Sequence, residues 1–167
     1  MIVLPITKAQ VDIAKHTQNK FNKNKIYDKF KCDTAYVGYL GEMVFNDFLK
    51  QTGKEFKWVQ FDKKNYNEPD FIIKDKSVDL KTTFSDSMWI QQEKFDVYIY
   101  SQVNKELDKL MLKGWLYKKD ITKLKESYQC DTRARENGTD YIISQSNMKD
   151  IHLIFQNENV AKDSHTQ

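Results

Sequence analysis

The sequence predicts an α/β fold, on three observations. Residues 36 to 50 repeat their apolar side chains with a helical period, and residues 95 to 102 alternate with the period of a strand. Between them, residues 71 to 84 read as two short strands around a tight turn. With 167 residues, 40% of them hydrophobic, the chain has material for one substantial core. A single domain over residues 1 to 156 is therefore expected, followed by a polar, flexible C-terminal tail over 157 to 167. Aromatic residues make up 13% of the chain, which argues for an aromatic core and against general disorder. With only 5 Gly and 2 Pro, neither a linker-like nor a collagen-like chain is compatible.

The elements follow in order. Thr7 and Gln10 fit a capping box opening a first helix, with Val11, Ala14 and Phe21 as its apolar stripe. Asn19 to Lys31, rich in Asn and Lys, reads as a solvated helix end or a loop. In the helix from Tyr36 to Lys50, Leu40 sets the zero direction. At about 100° per residue, Val44, Phe48, Phe45 and Leu49 then fall between about 40° and 180°. Glu42, at about 200°, lies at the margin of that apolar face, where its carboxylate can look across the sheet surface without being sealed in the core. Gly38 and Gly41 leave a smooth patch for close approach to another backbone.

Gly53 ends the helix, and Phe56 to Phe61 reads as a strand. Asp62 to Glu68 has loop composition, and Pro69 biases its predecessor toward extended backbone. Phe71 to Ile73, a turn at Lys74 to Lys76, and Ser77 to Phe84 form a hairpin. Ser85 to Glu93 reads as a short helix or a loop crossing the sheet, and Phe95 to Gln102 as a strand. After a turn at Asn104 to Glu106, alternation through Leu110, Leu112, Gly114 and Leu116 favours a strand over a helix. Asp120 is placed to cap a short helix containing Ile121, Leu124 and Tyr128. Residues 129 to 140 read as a polar loop, and Tyr141 to Ser144 as a last strand or extended segment. A helical turn opened by Ser146 or Asn147 precedes the apolar Ile151, Leu153, Ile154 and Phe155.

Charge and cysteine content narrow the chemistry. The net charge of +3 permits a polyanionic partner without requiring one, because surface clustering decides. Cys32 and Cys130 are the two cysteines, with no disulfide framework and no Cys/His spacing for zinc. His16, His152 and His165 are scattered, and Gly38 to Gly41 lacks the ending of a nucleotide-phosphate loop. Two free thiols, no secretory leader and no apolar run of about 18 residues make the cytoplasm the expected compartment, with no membrane partner.

One constellation carries chemistry. In Ser77-Val78-Asp79-Leu80-Lys81 the period of a strand puts Asp79 and Lys81 on one face, with Val78 and Leu80 on the other. The hairpin brings Asp70 beside Asp79, and two neighbouring carboxylates keep their charge best with a cation between them. Mg²⁺ suits such a site, with Mn²⁺ as a substitute, because it takes oxygen ligands and needs one or two protein carboxylates plus substrate phosphate. The Leu80 carbonyl is a further oxygen donor, and Glu42 is placed to bind directly or hold a water. The matching chemistry is phosphodiester hydrolysis, with Lys81 stabilising negative charge and orienting the attacking water.

The run Glu68-Pro69-Asp70, eight intervening residues, then Asp79-Leu80-Lys81 resembles the signature of the PD-(D/E)XK nucleases, the restriction-endonuclease-like superfamily. That resemblance spans about 40 residues with motifs, and by element order residues 36 to 102. It implies a restriction-endonuclease-like mixed β-sheet core flanked by helices. It also implies that Asp70 and Asp79 are metal ligands, Lys81 the catalytic lysine, and Glu42 the acidic residue of the first core helix. The implied activity is that of a Mg²⁺-dependent deoxyribonuclease acting as an endonuclease. No Gln-X-X-X-Tyr element of the recombination exonucleases follows, since Gln91 and Gln92 precede Phe95 with Tyr98 displaced. A lone catalytic core of this size suggests a homodimer whose two copies cut opposite strands.

Substrate contacts are sought among the basic residues. Lys113, Lys118 and Lys119, with Lys123 and Lys125 beyond, are positioned to neutralise DNA phosphates. Arg133 and Arg135, the only two arginines, can make bidentate contacts. Trp58 and Trp115 read as core residues, whereas Trp89 is equally suited to substrate, partner or packing. The competing readings are a non-catalytic nucleic-acid-binding or assembly protein on the same scaffold, and a nuclease acting on RNA.

Overall fold

A computed structural model describes residues 1–23, 36–59, 68–135 and 138–156, without the side chains of 20–23, 135 and 156. The end of the expected strand at 60–61, the expected loop at 62–67, most of the Asn- and Lys-rich stretch, Cys32, the Phe21 side chain and the 157–167 tail lie outside the described residues. The structure is a mixed β-sheet core flanked by α-helices, in the restriction-endonuclease-like arrangement.

The chain opens with β1 (Ile2–Pro5) and α1 (Lys8–Lys23). The capping box at the start of α1 forms as expected: the Thr7 N–H donates to Gln10 Oε1 at 2.8 Å and the Gln10 N–H to Thr7 Oγ1 at 3.2 Å. Next come α2 (Tyr36–Thr52), ended by Gly53 at φ +66°, and β2 (Phe56–Trp58). A hairpin follows, β3 (Phe71–Ile73) and β4 (Lys76–Thr83), turned by Lys74 and Asp75 with φ of 47° and 61°. Left-handed backbone at both positions is what a two-residue hairpin turn of type I′ demands.

The remaining elements are β5 (Ser87–Ile90), β6 (Val97–Val103), β7 (Lys109–Tyr117), α3 (Lys118–Glu126), β8 (Asp131–Arg135), β9 (Gly138–Ser144) and α4 (Ile151–Gln156). The main sheet runs β1-β7-β6-β4-β3-β2, and the one parallel neighbour pair is β4 with β6. A second sheet, β5-β9-β8, is antiparallel throughout.

Two cores lie on opposite faces of the main sheet. On one, Leu40, Val44, Phe45 and Leu49 of α2 pack over Val78, Leu80, Val97 and Ile99, with Ile151 and Phe155 of α4 alongside. On the other, Tyr98 and Tyr100 of β6 and Leu116 of β7 pack against Met88, Ile90 and Ile143 of the second sheet and Ile121 of α3. β6 is therefore buried on both faces, as a central strand between two layers must be.

Several expectations are corrected. Ser85 to Glu93 is neither helix nor simple loop, because Met88 and Ile90 pair with Ile143 and Tyr141 of β9 to build β5. Residues 129 to 140 contain β8 and the start of β9, which pair as an antiparallel hairpin whose residues 131–134 and 138–139 are exposed and whose Asp140 is buried. The apolar Ile2–Pro5 is a strand paired with β7. Asp120 does cap α3, but from its third position rather than from in front of it: its Oδ2 accepts the Tyr117 N–H at 3.2 Å.

Candidate metal and phosphate site

The site grows from the end of the β3–β4 hairpin. The cross-strand pairs are Phe71↔Val78, Ile72↔Ser77 and Ile73↔Lys76, and one further step sets Asp70 opposite Asp79. Phe71 and Val78 belong to the α2 core, so alternation turns Asp70 and Asp79 to the other face, toward Tyr98. Beyond Phe71 the carboxylate of Asp70 continues the hydrogen bonding, Oδ2 accepting the Leu80 N–H at 2.7 Å. Because the N–H and C=O of one strand residue point to the same side, the Leu80 carbonyl is directed toward Asp70 as well. The Val59 N–H donates to the Asp70 carbonyl at 2.9 Å and ties β2 to the same corner.

Asp79 and Lys81 form an ion pair, Nζ to Oδ2 at 2.8 Å, with the Asp79 side chain 8% and the Lys81 side chain 38% exposed. The carboxylate is thus held in the protein, and the lysine side chain is partly exposed. Burial pulls the Lys81 ammonium down, but the charge of Asp79 and its hydrogen bond, then the charges of Asp70 and Tyr98, outweigh it. The net effect lifts Lys81 above its ordinary 10.5. Lys81 is consequently a firmly held cation at neutral pH.

Glu42 approaches from the α2 side of the sheet. It is buried, at 4% exposure, rather than looking openly across the sheet surface, and Trp58 Nε1–H donates to its Oε2 at 3.2 Å. Trp58 stacks on Phe71 and on Tyr39, so the edge strand β2 holds the indole against Glu42. The depth of α2 is set by its neighbour Gly41, packed directly onto Thr82 of β4. A Cβ on Gly38 would meet nothing within 4 Å, so Gly38 has no such role.

Asp70, Asp79 and Lys81 are brought together; Glu42 does not join the two aspartates as a third close carboxylate. Among the described residues, no three His, Cys, Asp or Glu side chains form a group able to hold a metal ion. The two buried carboxylates, at 7% and 6% exposure, and the strand carbonyl beside them nevertheless make a hard-oxygen donor set. That set fits Mg²⁺, which takes one or two protein carboxylates and fills its remaining positions with water and phosphate.

The expected phosphate contacts are dispersed. Lys118 and Lys119 are exposed in the first turn of α3, and Lys113 is half-buried in β7. Arg133 is exposed on β8 with its guanidinium 5.4 Å from the centre of the Trp89 ring, and Arg135 ends that strand. Trp115 is a core residue, as expected. Tyr98, which carried no role in the sequence reading, lies directly across from Asp79. Its signal was the apolar character of both alternating faces of residues 97–103.

The fold and this corner define an α/β protein with a restriction-endonuclease-like core and a carboxylate–lysine pair at a hairpin end. The chain matches no protein-family model, and no curated protein matches it in sequence. Among solved structures it is similar to D212, a nuclease from a fusselovirus, at 14% identity and a TM-score of 0.40, over 70% of this chain and 84% of that one. A likeness of that size bears on neither the site nor the activity. Among the described residues, no helix is long and apolar enough to cross a membrane.

Proposed function

We propose that the protein is a divalent-metal-dependent nuclease hydrolysing DNA phosphodiester bonds, acting as an endonuclease with Mg²⁺. The observation that carries this reading is the reach of the Asp70 carboxylate across the hairpin to the Leu80 N–H, beside the Asp79–Lys81 ion pair. Asp70, Asp79 and the Leu80 carbonyl would hold the cation, with Glu42 as the further acidic residue behind the sheet edge. When bound, the cation supplies Lewis-acid neutralisation at the phosphate and makes a nearby water easier to deprotonate.

The protein's own side chains divide the remaining work. The Leu80 N–H fixes one oxygen of Asp70, so the carboxylate cannot swing away. Asp79 orients the Lys81 ammonium, which offsets negative charge growing on the phosphate oxygens. Lys118, Lys119 and Arg133, exposed on the same chain, are proposed DNA contacts, with Lys113 and Arg135 as further ones.

Cleavage of end-labelled duplex, single-stranded and branched DNA with Mg²⁺, Mn²⁺ or EDTA tests the reading. Metal-dependent products should be lost in both Asp79→Ala and Lys81→Ala. A second reading, a non-catalytic DNA-binding or assembly protein, is favoured by the engagement of Glu42 with Trp58 rather than with the aspartates. DNA binding that is unchanged in EDTA and in Asp79→Ala, with no cleavage of any substrate, would select it.

A further inference from the structure

The second sheet ends in an open edge. β8 is its outermost strand, hydrogen-bonded to β9 on one side and, among the described residues, to no strand on the other. Its pairing with β9 runs from Asp131↔Ile142 to Arg135↔Gly138 in one register without a bulge, and the strand holds neither Pro nor Lys. Asp131, Thr132, Arg133 and Ala134 are all exposed. Sheets commonly blunt such an edge with Lys, Pro, a bulge or a covering element, and among the described residues β8 shows none of these. Alternation puts Asp131 and Arg133 on one face of the sheet and Thr132 on the other. Their face is the one turned away from Met88 and Ile143, because Asp131 is in register with Ile142 and Trp89. The Arg133 guanidinium lies there, 5.4 Å from the centre of the Trp89 ring. A solvent-exposed contact of that kind is weak, so the guanidinium is open to a carboxylate arriving on a neighbouring strand.

We infer that β8 is a homodimer interface: β8 of a second copy adds antiparallel about a twofold axis at Thr132, and Asp131 of each copy pairs with Arg133 of the other. Charges on an edge strand ordinarily keep another strand away, and here their order does the reverse. With Thr132 facing Thr132, both charged positions meet their opposites across the axis, with Cβ atoms about 5 Å apart. A register centred on Arg133 would set two arginines against each other, and a slip by one residue would set the charges against Thr132 and Ala134. The charge pattern therefore selects one register. The twofold axis uses the outer edge of both copies at once, so the two three-stranded sheets join and close instead of growing into a stack. One short strand pair is smaller than a standard interface of about 1,200 Å² or more, so the expected dimer is of micromolar strength. The inference does not depend on the nuclease reading.

Sedimentation velocity over a micromolar concentration series tests the interface, without nucleic acid so that a DNA contact by Arg133 does not enter. The wild type should show a monomer–dimer equilibrium. Asp131→Arg and Arg133→Asp each set like charges against each other in both halves of their own dimer, and each should weaken dimerisation by more than about ten-fold. Mixed in equal amounts, the two variants should recover wild-type dimerisation, because every charge pair across the mixed interface is again Arg with Asp. Circular dichroism should show both variants folded, as expected for exposed positions; if either is not, Asp131→Lys with Arg133→Glu carries the same test. A wild type that stays monomeric, single variants that dimerise as the wild type does, or a mixture of folded variants no more dimeric than its components would each overturn the inference.

Discussion

Gly41 of α2 lies so close to Thr82 of β4 that a Cβ on the glycine would stand 1.9 Å from the threonine Oγ1. Thr82 cannot swing away freely, because its hydroxyl shares a hydrogen bond of 2.8 Å with Ser101. In an exposed helix, Gly→Ala stabilises by about 1 kcal/mol, and here the overlap should reverse the sign. Gly41→Ala is expected to destabilise by about 1 to 3 kcal/mol and to displace Glu42. Gly38→Ala, with open space around it, should stabilise by up to about 1 kcal/mol. Paired denaturant titrations decide the matter, and equal effects of both substitutions would refute the close-packing account.

Asp70→Asn keeps an acceptor for the Leu80 N–H while removing the charge. Stability should stay within about 1 kcal/mol of wild type, whereas Mg²⁺-dependent cleavage should fall by more than about 100-fold. Full activity in this variant would remove Asp70 from the proposed site.

Metal should also act on stability. Binding of Mg²⁺ to the folded chain alone would raise stability by about 2.7 kcal/mol at about a hundred times its dissociation constant. The thermal midpoint should therefore climb with Mg²⁺ in wild type and not in Asp79→Asn. A rise of the same size in both would point to binding elsewhere.

At high pH the buried phenols should destabilise the fold. Burial, and after it the charge of Asp86, pushes Tyr100 from its ordinary 10.0 up to about 12, and its hydroxyl donates to the Ser85 carbonyl at 2.5 Å. A raised pKa means the folded protein favours the neutral phenol. The associated stability is complete below pH 10.0 and is lost as pH rises toward about 12. Tyr98 is raised as well, by burial first and next by Asp79 among the raising causes, and adds in the same direction. Ultraviolet titration of phenolate alongside unfolding should show this loss, reduced in Tyr100→Phe.

At low pH the sign is opposite. Asp96 is held below its ordinary 3.8 by hydrogen bonds from the Ser77 hydroxyl and N–H, and this contribution is lost as pH falls through the folded-state value. Asp96 is exposed, so the effect is small. Ser77→Ala should make the acid limb of the unfolding profile shallower, which acid titration followed by circular dichroism can measure.

The hairpin and the nearness of Asp70, Asp79 and Lys81 were legible because they are local. The turn at Lys74 and Asp75, the alternation of β4 and the spacing from Asp70 to Lys81 all lie within a dozen residues. The helix α2, the Thr7–Gln10 cap and the strands β6 and β7 were legible by the same periodic rules. The second sheet was not, because β5 is a strand only through β9, more than fifty residues later, and β8 is polar and exposed. Trp58 was read as a packing residue and Tyr98 was given no role, since their polar atoms act on partners that only the tertiary fold supplies. Glu42 was placed on α2 at the margin of its apolar face, but its angle on a helical wheel could not reveal that Trp58 would hydrogen-bond to its carboxylate.

The placement of β1 governs the order in which this chain can assemble. Ile2 pairs with Leu112, and the Ile6 N–H closes on the Asp108 carbonyl at 2.8 Å, so the first strand has no partner until more than a hundred later residues exist. The β3–β4 hairpin, by contrast, closes across a two-residue turn within microseconds, about 1 to 10. During synthesis the β3–β4 hairpin can therefore take shape while Ile2 and Leu4 still wait for β7. Docking of β1 onto β7 is a late, loop-closing event of high contact order, the kind that sets folding speed.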